Sequence, residues 1–430
     1  MTTAPAPTAD TPATRRGPFT PVPTSAPPPA AEPLPPVNKV PLVVAAVIGA
    51  GLTAWTWSEH GAKPGILLLL GIALGVALFH SRFGFTSAWR QLIAVGNGTG
   101  LRAHSLLLGT TAALFALIVS TGTGLFGSTP APSAGPIGFG LLIGAFLFAL
   151  GMQLGGACAS GTLFAVGSGQ STIVLTLAGF VAGSTLAAWQ WELWRDLPAA
   201  DPFLFSDHFG GWGGSLAVTL AALAVVYVVA RGVQARRNPP PVGVPPSAPT
   251  TAARVLRGSW TLWAGAVVLA VLGAGVLLVS SGPWGVTSAF ALWGSRIADL
   301  LGGDPSGWAY WQQAGNAAQL HGPILADKNS LTDFGIMIGA GVAAAAGGVW
   351  TWHRSIPART ALAGILGGVL MGIGARMAGG CNIGAYLAGI ASGSLHGWIW
   401  GAVALLGTYA GLKLRPLFGL GNPKSTDSVC

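Results

Sequence analysis

The chain has 430 residues, of which 51% are hydrophobic and only 8% are charged, and its formal net charge is +9. Soluble domains are typically about one-quarter charged, so this composition excludes a soluble globular protein and indicates a multi-span membrane protein. The basic residues lie in short connections between apolar runs, not on a basic helix, so we exclude a nucleic-acid partner. The three cysteines form no Cys-x-x-Cys pair, and we predict no metal site and no cofactor.

The N-terminal segment differs in composition from the rest. Residues 1–37 are rich in Pro, Ala and Thr and nearly lack large apolar side chains, so we predict a disordered tail. The pair Arg15-Arg16 is similar to a twin-arginine signal. The first hydrophobic run starts only near Val40, however, so we predict no cleaved signal.

Ten apolar runs approach the roughly 20 residues that a spanning helix needs. They are residues 40–57, 64–80, 102–122, 136–154, 172–192, 212–230, 259–280, 332–350, 360–378 and 396–413. Four further stretches are too short or too rich in glycine to cross, and irregular backbone at membrane depth is tolerated only inside protein or along a cavity. We therefore predict re-entrant segments that line a path, at residues 82–98, 156–170, 283–300 and 379–394.

The distribution of arginine predicts the orientation. Residues 231–257 carry five arginines, several prolines and no acid, which indicates a cytoplasmic linker. Ten spans then place both termini in the cytoplasm and residues 196–210 outside. The predicted divisions are the tail 1–37, a first membrane repeat 38–230, the linker 231–257, a second membrane repeat 258–415 and a polar C-terminal tail 416–430.

Two sequence patterns occur once in each half. Gly374-Ala-Arg-Met-Ala-Gly-Gly-Cys381-Asn-Ile-Gly384 aligns with Gly151-Met-Gln-Leu-Gly-Gly-Ala-Cys158-Ala-Ser-Gly161. Upstream of the cysteine in each half, Phe83-Gly-Phe-Thr-Ser-Ala-Trp89 aligns in the same way with Trp284-Gly-Val-Thr-Ser-Ala-Phe290. The predicted topology makes the two copies inverted relative to each other, which places binding sites near the midplane at the repeat interface.

The duplicated cysteines are the first candidates for substrate binding. A lone cysteine in a membrane helix is usually a small packing residue, but Cys158 and Cys381 occupy equivalent positions. A thiol is a soft, weak hydrogen-bonding group, which suits a polarisable sulfur anion better than a hard oxyanion such as phosphate. Cys430, in the polar tail, is interpreted as incidental. Glycines that let backbone and solute approach the sulfur are Gly156, Gly161, Gly380 and Gly384.

Arg376 is the one arginine inside a predicted span, five residues before the second cysteine. A charge at membrane depth normally marks a pathway or a paired site, so we predict that it attracts anions. The alternative is that its side chain snorkels to the interface. Its counterpart in the first half is Gln153, which predicts an asymmetric positive potential.

Four hydroxyl residues begin the predicted re-entrant segments and either donate to a substrate or cap a half-helix. They are Thr86, Ser87, Thr287 and Ser288. The aromatic residues Trp89, Trp284 and Phe290 are interpreted as packing or interface anchors.

The remaining polar residues are assigned to span ends. We expect His80, His104 and His396 to face headgroups or loops. No Asp or Glu lies securely inside a predicted span, with Asp299 and Asp333 the nearest, which favours a facilitated path over ion-coupled transport.

The sequence Arg376-Met-Ala-Gly-Gly-Cys381, with Gly384 and the weaker copy around Cys158, resembles the YeeE/YedE family of membrane proteins over roughly residues 64–415. The resemblance implies import of a sulfur compound, thiosulfate above all, by successive weak thiol contacts. It also implies the bacterial inner membrane and a small TusA-like sulfur carrier as a cytoplasmic partner. Many members carry a further cysteine where this chain has Gly84-Phe85-Thr86, so a relay of three thiols is not expected.

We therefore predict an all-α integral membrane protein of two inverted repeats, forming an hourglass path with Cys158 and Cys381 near its waist. The predicted function is a permease for a small sulfur anion and not an enzyme. One alternative is a membrane sulfurtransferase in which a cysteine forms a persulfide, although no His or Lys accompanies either thiol in sequence. Another alternative is a structural subunit of a transport complex.

Overall fold

The computed structural model describes residues 35–239, 251–352 and 355–423. These residues are nearly all helical, and their only sheet pairs β1 (Ile137–Gly138) with β2 (Ala199–Ala200) in antiparallel fashion. Most of the predicted N-terminal tail, the middle of the predicted linker and Cys430 lie outside the described residues.

Both halves are built from long helices separated by short ones. The first half contains α1 (Lys39–His60), α2 (Ala62–Ser81), α3 (Phe85–Val95), α4 (Thr99–Thr121), α5 (Phe139–Gly155), α6 (Ala159–Gly167), α7 (Ser171–Trp189), α8 (Phe205–His208) and α9 (Gly211–Arg237). The second half contains α10 (Thr251–Arg257), α11 (Leu262–Ser280), α12 (Thr287–Leu300), α13 (Ala314–His321), α14 (Lys328–Ala346), α15 (Ala358–Met377), a π-helix (Asn382–Leu387), α16 (Ala388–Ala391) and α17 (Leu395–Leu414).

Each of the ten predicted spans coincides with a long helix. Within the described ranges, eight stretches are long and apolar enough to cross a membrane. They contain eight of the ten helices, and the two exceptions are α14 and α17. Lys328, Asn329 and Asp333 lower the mean hydropathy of α14. The four predicted re-entrant segments form α3, α6, α12 and the π-helix with α16. The prediction of an all-α membrane protein is confirmed.

The two helices that precede the cysteines, α5 and α15, end at glycine-rich turns. Gly156 follows α5 with a φ of +86° and Gly380 follows α15 with a φ of +152°, both in the region that favours glycine. These turns redirect the chain sharply. Each cysteine is therefore delivered back into the protein interior instead of continuing along the helix axis.

The same two helices cross in direct backbone contact. A Cβ atom added to Gly144 would lie 2.6 Å from the carbonyl oxygen of Gly374, and one added to Gly151 would lie 2.6 Å from that of Gly367. In the sequence alignment Gly144 matches Gly367 and Gly151 matches Gly374, so each glycine meets the counterpart of the other. Contacts that run in opposite directions along equivalent helices require an antiparallel pair related by a twofold axis. The predicted inversion of the two repeats therefore agrees with the helix packing.

Other helix contacts also occur twice, and in the second contact each helix is replaced by its counterpart from the other half. Helix α7 packs on α15 as α17 packs on α5, and α14 packs on α2 as α4 packs on α11. The short helix α12 packs on α7 as α3 packs on α17. Small residues permit these close approaches, which drive helix association where lipid removes the hydrophobic effect.

The glycine crossing predicts a selective sensitivity to one added methyl group. In Gly151→Ala the new Cβ would lie 2.6 Å from the Gly367 carbonyl oxygen and 2.9 Å from the Met371 nitrogen. Overpacking of this kind costs about 1–3 kcal/mol, more than the better helix propensity of alanine returns. We expect a lower melting temperature for the purified protein in detergent.

The matched control is Gly273→Ala in α11, whose Cβ would meet no atom within 4 Å. This variant should melt at or above the wild-type temperature. Equal melting temperatures for the two variants would contradict the close crossing of α5 and α15.

Candidate functional site

Both cysteines lie buried in the interior of the protein. Cys158 precedes α6 and Cys381 precedes the π-helix, and their exposed fractions are 1% and 0%. The two thiols lie within electrostatic range of each other. The backbone N–H of Ile383 donates to Cys381 Sγ at 3.4 Å, and Cys158 Sγ lies 3.7 Å from Ser160 Oγ. Because π-helices concentrate at functional sites, this segment is the natural centre of the candidate site.

The predicted glycines divide into two roles. Gly156 and Gly380 form the turns before the cysteines, as described above. A Cβ on Gly161 would lie 3.3 Å from Cys158 Sγ, so glycine lets the backbone approach the sulfur closely. A Cβ on Gly384 would meet no atom within 4 Å, so space opens beside the π-helix.

Arg376 lies in a cavity of about 340 Å³, which we name the vestibule. Its guanidinium donates from Nη1 to Tyr310 Oη at 2.5 Å and from Nη2 to Thr287 Oγ1 at 3.1 Å. Two hydroxyl groups, and not a carboxylate, therefore hold the side chain, and its Nε has no partner among the described residues. The charge remains available to an anion. The walls of the vestibule include Gly135, Trp191, Trp194, Arg195, Gly379 and His396.

The first half contains a corresponding cationic cluster. Gln153, the counterpart of Arg376, donates to the backbone oxygen of Thr86 at 3.4 Å and accepts a hydrogen bond from Arg90 Nε at 2.9 Å. Arg415 Nη1 donates to the Gln153 carbonyl at 2.6 Å, and burial lowers the pKa of Arg415. Positive charge is therefore present in both halves. Around Gln153 it comes from Arg90 on α3 in the first half and from Arg415, which follows α17 in the second half, and alignment of Gln153 with Arg376 did not indicate either.

The four predicted hydroxyl residues do not cap their helices through side chains. Thr287 accepts the guanidinium hydrogen bond described above, and Ser288 is hydrogen-bonded to Asn329. Ser87 donates back to a carbonyl in its own turn at 3.3 Å. Thr86 Oγ1 is buried and has no partner in the described part of the chain. Thr86 and Thr287 are thus the two that contact the residues around the cysteines.

Sequence reasoning missed Asn382, which directly follows Cys381. Its side chain is 0% exposed, and neither its amide nitrogen nor its amide oxygen has a partner within the described ranges. Buried polar groups are nearly always hydrogen-bonded, so such an amide beside a thiol points to a ligand. The indole nitrogens of Trp89 and Trp400 are likewise buried and unpartnered, and both rings pack around Tyr386. The sequence signal that could have identified Asn382 is an amide side chain inside a glycine-rich motif.

The three histidines do not face headgroups, but His80 and His396 contact connections between helices. All three histidines are buried, because short helices and connections cover the span ends: His80 lies 5.5 Å from the Trp260 ring and His104 lies 4.4 Å from the Phe85 ring. His396 Nδ1 accepts from the Gly135 N–H at 3.1 Å.

One of the two acids that the sequence places nearest to a span is buried in the structure. Asp333 is in the second turn of α14 and is 0% exposed, whereas Asp299 is exposed. The interpretation of Trp89, Trp284 and Phe290 as packing residues agrees with their burial. In the part of the chain that the structure describes, no three His, Cys, Asp or Glu side chains group as metal ligands.

Comparison with known proteins gives one family and several relatives. A family described as Sulphur transport matches residues 80–410. "Thiosulfate transporter TsuA" of Spirochaeta thermophila is 27% identical over 363 residues, which cover 80% of this chain and 96% of the relative. The protein of the same name from Escherichia coli is 28% identical over 357 residues, covering 80% and 92%. "Probable transporter YedE" of Escherichia coli is 30% identical over 173 residues, covering 37% and 41%.

Proposed function

Since the chain belongs to the Sulphur transport family, we propose that it is a membrane permease that imports a small sulfur anion, with thiosulfate as the substrate. Two relatives named as thiosulfate transporters align over more than nine-tenths of their length, at 96% and 92%. The observation that carries the proposal is the burial of both thiols, which occupy equivalent positions of the duplicated sequence motif.

The vestibule supplies the entry site. Arg376 presents a charge that no carboxylate neutralises, held by Tyr310 and Thr287. A planar guanidinium binds two oxygens of an oxyanion at once and is more weakly hydrated than an ammonium group. An anion entering the vestibule is therefore attracted to the side chain that lies five residues before Cys381.

The thiols form the middle of the route. The terminal sulfur of thiosulfate is large and polarisable, and it contacts Cys381 and Cys158 in turn through weak S–H hydrogen bonds. The amide of Asn382 donates to the sulfonate oxygens, which satisfies a group otherwise left without a partner. Several weak sites allow an ion both to enter and to leave, as conduction requires.

The cluster of Arg90, Gln153 and Arg415 supplies the exit. Arg90 Nη2 is buried and has no partner among the residues described, and it lies close to the guanidinium of Arg415. Together these groups draw the anion past Cys158. The route thus runs from one cationic site to another, with the soft thiols between them.

The basic face is proposed to lie in the cytoplasm of the bacterial inner membrane, with both termini on that side. The bias of Lys and Arg toward cytoplasmic connections supports this orientation. The same face is proposed to receive a small TusA-like sulfur carrier, because its exposed arginines fit an acidic partner surface. These arginines are Arg82, Arg231, Arg236, Arg237 and Arg359.

Cys158→Ser and Cys381→Ser should each slow thiosulfate uptake into proteoliposomes about tenfold or more, because a soft donor becomes a hard one. Serine is nearly isosteric, so the melting temperature should change little. Cys430→Ser is the control and should transport normally. Wild-type rates for both core variants would show that the thiols only pack. Persulfide sulfur on purified protein after exposure to thiosulfate would indicate the enzyme alternative.

Substitutions of Arg376 should separate the effect of its positive charge on uptake from the effect of its planar guanidinium shape. Arg376→Lys keeps the charge but loses the planar fork, so uptake should fall partially. Arg376→Gln, which copies Gln153, should lower uptake further at equal protein level. Tyr310→Phe removes one hydrogen bond to the guanidinium and should reduce affinity for thiosulfate with the charge retained. Wild-type uptake by the glutamine variant would place the anion route elsewhere.

The orientation can be tested with single cysteines in a cysteine-free background. A cysteine replacing Asp207, which is exposed after α7, should react with an impermeant maleimide added to intact cells. A cysteine replacing Arg359, exposed at the start of α15, should react only after permeabilisation. The reverse pattern would overturn the proposed cytoplasmic face.

A further inference from the structure

Asp333 is the only fully buried carboxyl group among the residues that the structure describes. It lies in the second turn of α14 with 0% of its side chain exposed. Neither Oδ1 nor Oδ2 has a hydrogen-bond partner within the described ranges. The proposed anion route, as described so far, assigns no task to this group.

An ionised carboxylate in such a place is costly. Burial of an isolated charge is so unfavourable that the group binds a proton instead, and in membranes such residues mark proton or ion pathways. Lys328 on the same helix and Arg296 on α12, which packs against it, donate to other groups: Lys328 Nζ to the Pro283 carbonyl at 3.0 Å, and Arg296 Nη2 to the Gly322 carbonyl at 2.8 Å. Asp333 forms no ion pair with any residue that the structure describes.

The titratable surroundings of Asp333 are sparse. The charged group that acts on it most is Asp327, which caps the same helix, and Cys381 lies within its electrostatic range. The elements packed against α14 carry Lys39, Glu59 and His60 on α1, Lys63 and His80 on α2, Cys158 before α6, Arg254 and Arg257 on α10, and Arg296 and Asp299 on α12.

The proximity to Cys381 links proton binding to anion binding. A negative charge on Asp333 repels an anion held at the thiol, and a proton on Asp333 removes that repulsion. By thermodynamic reciprocity, an anion at Cys381 raises the proton affinity of Asp333 by the same factor. The two ligands therefore favour the same state of the protein.

Import of a dianion also requires a source of energy. The membrane potential opposes the entry of negative charge into a negative interior, and it opposes a dianion twice as strongly as a monoanion. Each proton that accompanies the anion offsets one charge. A facilitated path without protons would leave thiosulfate at a lower concentration inside than outside.

We propose that Asp333 carries one proton inward with each anion, so that the protein is a proton–anion symporter. The carboxyl takes up the proton from the vestibule side when the anion reaches Cys381 and releases it to the other side after the anion has left. No covalent bond of the anion changes. The inference rests on the proposed import of thiosulfate, and it replaces the facilitated path expected from sequence.

The test uses wild-type proteoliposomes with the membrane potential held at zero by potassium and valinomycin. With the outside one pH unit more acidic, one proton per anion allows thiosulfate to accumulate about tenfold. An enclosed pH dye should report acidification when thiosulfate is added. Uptake that ignores the pH gradient and moves no protons would overturn the inference while leaving the proposed function intact. No uptake at all would defeat both.

Variants of Asp333 test whether this residue carries the proton. Asp333→Asn should retain exchange of labelled for unlabelled thiosulfate at equal pH but lose gradient-driven accumulation and the dye signal. Asp333→Glu should recover part of both, which also shows that the site tolerates replacement. The matched control is Asp299→Asn, at an exposed carboxyl on α12, and it should behave as wild type. Gradient-driven accumulation by Asp333→Asn would remove Asp333 from the mechanism.

Discussion

Contact between the backbones of α5 and α15 requires glycine at the crossing, and the candidate site depends on that contact. In a bilayer there is little hydrophobic gain from burying one helix against another, so close van der Waals approach has to supply the association. Gly144, Gly151, Gly367 and Gly374 permit it. Since the pair is antiparallel, the two glycine turns that follow lie on opposite sides of the crossing and return the chain toward its centre. Both thiols are therefore buried in the interior of the protein.

The helices of the two halves follow the twofold relation, but the positively charged side chains do not. Thr86 and Thr287 occupy equivalent positions and contact Gln153 and Arg376, which are themselves equivalent. The cation, however, belongs to the repeat helix in one half and to neighbouring elements in the other. A symmetric frame with different side chains lets the two ends of one route differ in affinity. A route with identical ends would have no preferred direction of binding.

Features encoded locally were predictable from sequence, and features that depend on distant contacts were not. The spans follow from apolar runs, and the site's centre follows from a motif present twice. The bond between Arg90 and Gln153 joins residues 63 positions apart, and that between Arg376 and Tyr310 joins residues 66 apart, so neither leaves a local pattern. Asp333 was misplaced for another reason: the apolar run starts there, whereas α14 starts at Lys328, because its cap at Asp327 extends the helix.

The number of residues from the crossing glycine to the cysteine is the same in the two halves. The end of each helix therefore sets the distance between the helix crossing and the thiol. Seven positions separate Gly151 from Cys158, and seven separate Gly374 from Cys381. One residue inserted between Gly151 and Gly155 would advance the chain by about 1.5 Å and rotate it by about 100°, moving one thiol away from the other. The segments between α7 and α9 lie outside this spacing, so the spacing does not constrain their length. Insertions and deletions among homologous chains should therefore be absent between each crossing glycine and its cysteine and concentrated in those connections.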